Sequence, residues 1–272
     1  MRKTSVAGTP NVHTPDGSAI TSTWIKLIGS DGKSELRQFS KRGPKGRIIE
    51  NMPRSELTKT TVEFTGERLI PGQVSDDLLN EHRARYVFAA RLAGVRRVLD
   101  AGCGAGYGSA ELAQVAASVI GTDTAADAIA FARENYRLPN LHFERASCDA
   151  LPHPDGSFDL VVAFEVIEHL ESWRQFLLEV RRVMSPHGQF VVSTPNKSYY
   201  TESRGREGTN PFHVHEFEFE EFRSELLAVF PEVALFLENH VEGIAFQPND
   251  PAAGVGSRWT LANPRPRNRI FS

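Results

Sequence analysis

From Val95 onward, short β-branched and apolar runs alternate with longer stretches of helical periodicity. The strand-like runs are Arg97–Asp100, Ser118–Thr122, Leu141–Arg145, Phe158–Phe164 and Gln189–Thr194. The helical stretches cover about residues 106–117, 125–136, 172–184 and 217–230. This alternation predicts right-handed βαβ units, and so an α/β domain with a mostly parallel sheet and helices on both faces. Because such sheets bind ligands at the carboxyl ends of their strands, functional residues are expected at that edge.

Three further segments flank the α/β domain, which we assign to residues 95–245. Residues 1–60 are rich in Thr, Ser, Gly and Lys, which predicts a flexible basic extension. Within it, the turn Asp31-Gly32 separates Trp24–Ile28 from Glu35–Phe39 and predicts a hairpin. Residues 61–94 are predicted to form a helical cap, because apolar residues recur at helical spacing up to Leu92. Residues 246–272 are rich in Pro and Arg and are predicted to be an irregular tail.

Composition and charge narrow the class of protein. No run approaches the roughly 20 apolar residues that a membrane-spanning helix needs, and no apolar signal segment follows Met1. We therefore expect a cytoplasmic protein. The two cysteines, Cys103 and Cys148, are too few for a disulfide framework. The formal net charge of -3 gives no general attraction to nucleic acid, although residues 1–60 are locally basic.

A glycine-rich turn follows the first predicted strand of the domain. Asp100 stands at the end of that strand, and Gly102, Gly104 and Gly106 follow at alternate positions. Glycines there allow the backbone to approach a ligand closely, and the helix that follows offers free N–H groups at its N-terminus. A single glycine-rich turn is weak evidence on its own, because dinucleotide-binding folds also have one.

Acidic residues then follow the next two predicted strands. Asp123 ends the second strand, about twenty residues after the glycine turn, where a carboxylate can accept both hydroxyls of a ribose. The third strand is followed by Cys148-Asp149-Ala150. All these residues fall at the carboxyl edge of the predicted sheet.

The order Asp-x-Gly-x-Gly-x-Gly, with the acid before the glycines, resembles motif I of class I S-adenosylmethionine-dependent methyltransferases. The resemblance covers roughly residues 64–240 and includes the later acids and the fourth strand. It implies a Rossmann-like fold with antiparallel closing strands at the C-terminus, for which Val233–Glu238 and Arg258–Ala262 are the available segments. It also implies S-adenosylmethionine as cofactor, with Asp123 on the ribose and Asp149 on the adenine amine. The full predicted cofactor set is Asp100, Gly102, Cys103, Gly104, Gly106, Asp123, Thr124, Cys148, Asp149, Ala150, Glu165 and Arg85.

A second group of polar residues follows the fourth predicted strand. Glu165, Glu168 and His169 are spaced to project from one face of a helical turn, and His213 and His215 precede the last predicted helix. Two carboxylates and an imidazole at the mouth of a cofactor cleft can bind a hard divalent cation, which would lower the pKa of a coordinated hydroxyl. The predicted metal ligands are Glu165, Glu168, His169 and His215, and the predicted catalytic residues are His213, His215, Glu168 and His169.

This second group resembles two metal-assisted branches of the family, the ubiquinone-pathway O-methyltransferases and the small-RNA 2′-O-methyltransferases. Three interpretations remain open: a Mg, Mn or Zn site, a metal-free general base at His213 or His215, and a purely structural role. The resemblance favours O-methylation of a small-molecule or saccharide hydroxyl. An RNA 2′-O-methyltransferase and a non-catalytic cofactor-binding module are the alternatives. A poorly closed C-terminal sheet edge would allow a partner subunit to pair with it.

Overall fold

A computed structural model of the 272-residue chain describes residues 23–29, 68–74, 76–198, 210–240, 243–248 and 259–262. The strands are β1 (Thr23–Gly29), β2 (Arg97–Ala101), β3 (Ser118–Asp123), β4 (Leu141–Arg145), β5 (Phe158–Phe164), β6 (Met184–Ser193), β7 (Ala234–His240), β8 (Gly243–Pro248) and β9 (Trp259–Ala262). The helices are α1 (Asp76–Ala93), α2 (Tyr107–Ala113), α3 (Ala126–Asn135), α4 (Trp173–Val183) and α5 (Phe219–Val229). A short 3-10 helix covers Ile167–His169.

The described strands form one sheet in the order β4-β3-β2-β5-β6-β1-β7-β8-β9. Strands β4, β3, β2, β5 and β6 pair in parallel, as the alternation of strands and helices predicted. The chain runs outward from β2 to β4 on one side and from β5 to β6 on the other, so the strand order reverses between β2 and β5. This reversal is where a parallel sheet opens a crevice for a ligand.

The core lies in two layers, one on each face of the parallel strands. On one face, α4 presents an apolar stripe at helical spacing that packs with α5 against the sheet, formed by Trp173, Phe176, Leu177, Val180 and Val183. On the other face, α1, α2 and α3 contribute smaller side chains such as Ala89, Ala110 and Ala132. Alternate strand residues enter opposite layers: Val161 packs in the first and Val162 in the second. The Rossmann-like arrangement predicted from the sequence is therefore confirmed.

Strand β1 belongs to the predicted N-terminal extension. It lies between β6 and β7 and pairs antiparallel with both, with Lys26 opposite Val192 on one side and Leu235 on the other. In this sheet both edges of β1 are occupied by β6 and β7, whereas the predicted hairpin would pair Trp24–Ile28 with Glu35–Phe39. Glu35–Phe39 itself lies outside the described residues.

The C-terminal strands extend the same sheet. The predicted segments Val233–Glu238 and Arg258–Ala262 correspond to β7 and β9, but these two strands do not pair with each other, because β8 lies between them and pairs antiparallel with both. Strand β8 was missed, because its apolar run Ile244-Ala245-Phe246 is short and is bounded by glycine and proline signals. Parts of the segment 246–272 are therefore strand rather than irregular tail. Among the described helices, none combines the length and apolar character that crossing a bilayer requires.

Candidate functional site

The glycine turn has the backbone shape that the sequence predicted. Gly102, Gly104 and Gly106 have φ values of 78°, 53° and 84°, a region that favours glycine. A Cβ at Gly102 would lie 2.5 Å from Val166, and one at Gly106 would lie 2.6 Å from the Cβ of Ala132. At both positions the space is already filled, by Val166 in the connection after β5 or by Ala132 of α3, so only glycine allows the loop to pack this closely.

Backbone hydrogen bonds attach this loop to the end of β3. The amides of Gly102 and Cys103 donate to the carbonyl of Thr122 at 2.8 and 2.9 Å. The carboxylate of Asp123 accepts from the amide of Gly104 at 2.9 Å and from the amide of Ala125 at 2.9 Å. The structure therefore brings Asp123 directly against the glycine turn, as the ribose role would require.

Asp100 lies behind the loop and is fully buried. Its carboxyl accepts hydrogen bonds from Ser109 Oγ at 2.6 Å and from Tyr86 Oη at 3.3 Å. Burial raises the pKa of Asp100 to about 7, although both hydroxyl donors act in the opposite direction. Asp100 thus connects β2 to α1 and α2 and orients the loop from behind.

The segment after β4 lies near Asp123. Cys148 is buried, and burial together with the charges of Asp123 and Asp149 raises the pKa of its thiol to about 12. Asp149 is partly exposed and accepts a short hydrogen bond from Ser147 Oγ. The neighbouring Ala150 is exposed. Cys148 and Cys103 are both buried free thiols, which favours a packing role for each.

Two predicted cofactor residues, Arg85 and Glu165, pair with other side chains of the protein. Arg85 is buried, its Nη2 lies 3.3 Å from Glu81 Oε1, and its Nε lies 3.8 Å from Glu165 Oε1. Glu165 has a φ of 54° and accepts a hydrogen bond from Ser193 Oγ at 2.6 Å. Thr124, by contrast, is exposed beside Asp123.

Glu165 and Glu168 accept hydrogen bonds from different side chains, and the predicted helical turn that would carry both is not formed. Glu168 accepts from Thr194 Oγ1 at 3.0 Å, whereas Glu165 accepts from Ser193. Adjacent residues at a strand end point to opposite sides, and the positive φ of Glu165 precedes a 3-10 helix rather than an α-helix. The sequence named Ser193 and Thr194 only as a strand end, so their hydrogen bonds to the two carboxylates were missed.

The structure does bring Glu168, His169 and His213 together. Each offers one ligand atom, and these atoms all lie within 4.8 Å of one another. We call these three residues the Glu168 cluster. Glu168 is buried, and burial together with the charge of Glu165 raises its pKa to about 8. Its Oε2 is held by Thr194, but its buried Oε1 has no hydrogen-bond partner among the described residues.

Hydrogen bonds fix the tautomers of both histidines in the Glu168 cluster. His169 Nδ1 lies 2.9 Å from the carbonyl oxygen of Phe212, and since a carbonyl only accepts, Nδ1 carries the proton. His169 Nε2 then faces Glu168 Oε1 at 4.0 Å. In His213, Nδ1 lies 3.2 Å from Glu216 Oε1, and the side-chain amide of Asn210 donates to Nε2 at 3.1 Å.

His215 is not part of the Glu168 cluster. Its Nε2 lies 2.8 Å from Glu221 Oε1, and its ring packs against Trp173 and Phe217. Its backbone nevertheless contributes, because the amides of Val214 and His215 both donate to the carbonyl of Glu168, at 2.8 and 3.0 Å. The segment before α5 therefore positions the 3-10 helix through its main chain.

One described cavity lies away from these residues. It has a volume of about 720 Å³ and borders the outer edge of β4 and the α3–β4 connection. Arg133, Tyr136 and His142 are among its lining residues, and none of the predicted site residues is. The arrangement of polar groups, rather than this cavity, therefore locates the candidate site.

The parallel sheet and its flanking helices define a Rossmann-like α/β domain. Its polar side chains lie at the carboxyl edge of the strands, where such sheets bind nucleotides. Residues 99–192 match the family model described as a methyltransferase domain. This segment therefore carries a methyltransferase domain, and the chain is similar to proteins named S-adenosylmethionine-dependent methyltransferases.

Several relatives carry the same family name. A probable S-adenosylmethionine-dependent methyltransferase of Mycolicibacterium smegmatis is 42% identical over 159 residues, which cover 58% of this chain and 60% of the relative. One from Mycobacterium tuberculosis is 39% identical over 184 residues, 66% of each chain. This chain therefore spans about 60 to 66% of the length of these relatives.

Two further proteins are similar to this chain at lower sequence identity. The mitochondrial ubiquinone biosynthesis O-methyltransferase of Schizosaccharomyces pombe is 28% identical over 224 residues, 77% of each chain. A crystal structure of a Pyrococcus horikoshii protein shares the fold with a TM-score of 0.52 and 22% identity, and the match covers 68% of this chain and 94% of that one.

Proposed function

We propose that this chain catalyses methyl transfer from S-adenosylmethionine to an oxygen atom of a small-molecule or saccharide acceptor. The observation that carries the proposal is the meeting of the glycine turn, Asp123 and the Cys148-Asp149 segment at the carboxyl edge, where the strand order reverses. The fit to the cofactor is supported by Gly104, since a Cβ there would meet only Arg68 Cγ within 4 Å and would occupy the open face of the turn.

When bound, the cofactor supplies a methyl group on a positively charged sulfur that a nucleophile can attack without covalent help from the protein. The chain's contribution is to orient the two reactants and exclude water, which is worth about 7–11 kcal/mol in well-oriented systems. Asp123 and the loop amides hold the nucleoside side, while Asp149 accepts from the adenine amine. Asp100 orients the loop from behind without reaching the ligand.

An oxygen acceptor must also lose a proton, and the Glu168 cluster supports that requirement. His169 holds its own proton on Nδ1, so the neutral ring has a lone pair on Nε2 that can take the proton from the substrate hydroxyl. The Phe212 carbonyl fixes the ring orientation, and Glu168 lies beside Nε2. We assign His169 as the proton acceptor and Glu168 and His213 as its neighbours in the same site. That one relative is named an O-methyltransferase also supports an oxygen acceptor.

Cofactor binding provides the first test. Titration calorimetry should detect binding of S-adenosylmethionine and of its demethylated product to the full chain. Asp123→Ala should raise both dissociation constants about tenfold or more, because a charge-assisted hydrogen bond is lost. The control Asp155→Ala removes an exposed carboxylate that pairs with Arg182 instead. Well-folded wild-type protein that binds neither molecule would refute the proposal.

Acceptor chemistry provides the second test. The protein is incubated with isotopically labelled methyl donor and pools of saccharides, quinol precursors and RNA, and mass spectrometry locates the new methyl group. His169→Gln should lower kcat by roughly 100-fold while leaving cofactor affinity unchanged. The exposed His142→Gln at the remote edge is the matched control. Methylation found only on nitrogen or carbon would contradict the oxygen assignment.

A divalent cation at the Glu168 cluster is a second candidate feature. The donor set of one buried carboxylate and two imidazoles fits a transition metal such as Zn²⁺ or Mn²⁺ better than Mg²⁺, and Glu168 Oε1 has no hydrogen-bond partner among the described residues. Glu168, His169 and His213 would hold the ion, with the His213 Nε2 lone pair released from the Asn210 amide, and the ion would supply Lewis acidity toward the acceptor oxygen.

Direct metal binding distinguishes this candidate from the metal-free base. Chelator-treated protein is titrated with Zn²⁺ and Mn²⁺ by calorimetry, using wild type, Glu168→Gln and His215→Gln. Affinity lost in Glu168→Gln and retained in His215→Gln is the expected result for a metal site. Full activity of the chelated protein would favour His169 acting alone.

A further inference from the structure

The segment before α1 packs on the glycine turn. Leu69 and Ile70 are buried, and Ile70 forms a small apolar cluster with Ala105 of the turn and Phe131 of α3. The amide of Gln73 donates to the carbonyl of Ile70 at 3.0 Å and closes a turn. Residues 68–74, which we call the cap segment, are therefore attached to both the loop and the helix that border the proposed cofactor edge.

Arg68 extends this contact across the open face of the turn. A Cβ built at Gly104 would meet only Arg68 Cγ within 4 Å, at 3.6 Å, which is ordinary van der Waals contact. The guanidinium then reaches the first turn of α3, where Nη1 lies 2.9 Å from Asp127 Oδ2. The Arg68 side chain is 16% exposed although its partner is 59% exposed. An arginine that is mostly covered while paired to a surface acid lies along the protein rather than extending into solvent.

The Arg68 side chain crosses the glycine turn next to the group that holds Asp123. Arg68 passes over Gly104, and the amide of Gly104 is one of the two donors that hold Asp123. Asp127 lies in the first turn of α3, the helix that comes next in the chain after Asp123. The Arg68–Asp127 ion pair therefore links the cap segment to α3 across the glycine turn. The amide of Gly104 in that turn donates to Asp123, the carboxylate proposed to bind the ribose.

We propose that Arg68 is a positioning residue that fastens the cap segment over the glycine turn through Asp127, and so slows dissociation of the methyl donor. The inference rests on the proposed function, since it names how that same site retains its ligand. Arg68 acts by pairing with Asp127 and not by contacting the ligand. The ion pair therefore slows dissociation of both the methyl donor and its demethylated product. Surface ion pairs contribute little to folding, so the effect appears in ligand retention rather than in stability.

A double-mutant cycle tests the role of the pair. Arg68→Gln and Asp127→Asn should each raise the dissociation constant and dissociation rate of S-adenosylmethionine about 5-fold or more, and the double variant should be no worse than either single one. The exchanged pair Arg68→Asp with Asp127→Arg should recover part of the affinity. Stopped-flow fluorescence and calorimetry give the two constants.

The matched control is the Arg97–Asp159 ion pair at the amino end of β2, with an Nη2 to Oδ1 distance of 2.8 Å. Arg97→Gln removes a comparable pair far from the cofactor edge and should leave both constants unchanged. Melting of the ligand-free variants separates a folding defect from a retention defect. A wild type that fails to bind the donor refutes the proposed function. A wild type that binds, with Asp127→Asn indistinguishable from it, overturns only the role of the ion pair.

Discussion

At the scale of single residues, the sequence identified the groups that the local backbone dictates. Gly102, Gly104 and Gly106 could be assigned because alternate glycines after a strand indicate a loop with positive φ, and Asp123 because a strand end fixes its place. The partners of these residues could not be assigned. Ser109 and Tyr86 reach Asp100 only through tertiary packing, and the positive φ that turns Glu165 toward Ser193 occurs in a residue type that rarely adopts it.

A substitution at Gly106 tests the loop geometry. Gly106→Ala should destabilise the protein by about 2–4 kcal/mol, because a side chain at φ 84° is strained and its Cβ would lie 2.6 Å from Ala132. Gly94→Ala is the control, since a Cβ there meets no atom within 4 Å. Urea unfolding gives both free energies. Equal stability of the two variants would show that the loop can shift to accept a side chain.

At the scale of elements, the alternation of strands and helices was sufficient to predict β2 to β6 with their helices, because each βαβ unit is local in sequence. Strand β1 was recognised as strand-like, but its place was not, since its partners β6 and β7 are distant in the chain. Pairing between distant strands leaves no periodic signal that a single sequence reveals. The neighbouring Asp-Gly turn instead favoured a local hairpin.

The contribution of β1 can be measured by truncation. A variant beginning at residue 21 retains β1, whereas one beginning at residue 31 lacks it and exposes the edges of β6 and β7. The shorter chain should melt at least about 5 °C lower than the longer one and should aggregate more readily through the exposed strand edges. Calorimetry and light scattering compare the two truncations. Equal melting temperatures would show that β1 contributes little to the sheet.

At the scale of the whole molecule, buried ionisable groups make stability depend on pH in opposing directions. Burial raises the pKa of Glu168 to about 8 and of Asp100 to about 7, so both carboxyls bind a proton more tightly in the folded state. Their stabilisation is complete below about pH 4 and is lost as the pH rises through these values. Burial, together with the Arg85 charge, lowers the pKa of His82 to about 3, which acts in the opposite direction as the pH falls below about 6.5.

The interval from pH 7.5 to 8.5 isolates the carboxyl contribution, because His82 is almost entirely neutral in both the folded and the unfolded state there. The free energy of unfolding should fall by about 1 kcal/mol per pH unit in the wild type and by less in Glu168→Gln. The exposed Glu220→Gln should retain the wild-type slope. Denaturant titrations at several pH values give the comparison. A Glu168→Gln slope as steep as that of the wild type would contradict the raised pKa.

The central position of β1 also has a consequence during synthesis. This strand leaves the ribosome before either strand that pairs with it, since Lys26 pairs with Val192 and Leu235. At typical elongation rates of 5–20 residues per second, the wait is on the order of tens of seconds. During that time the nascent segment Trp24–Ile28, which includes two isoleucines and a leucine, is without its native neighbours. The yield of soluble protein should therefore depend on translation speed and chaperone supply. This dependence should be stronger than in a protein that has only the parallel strands β2 to β6.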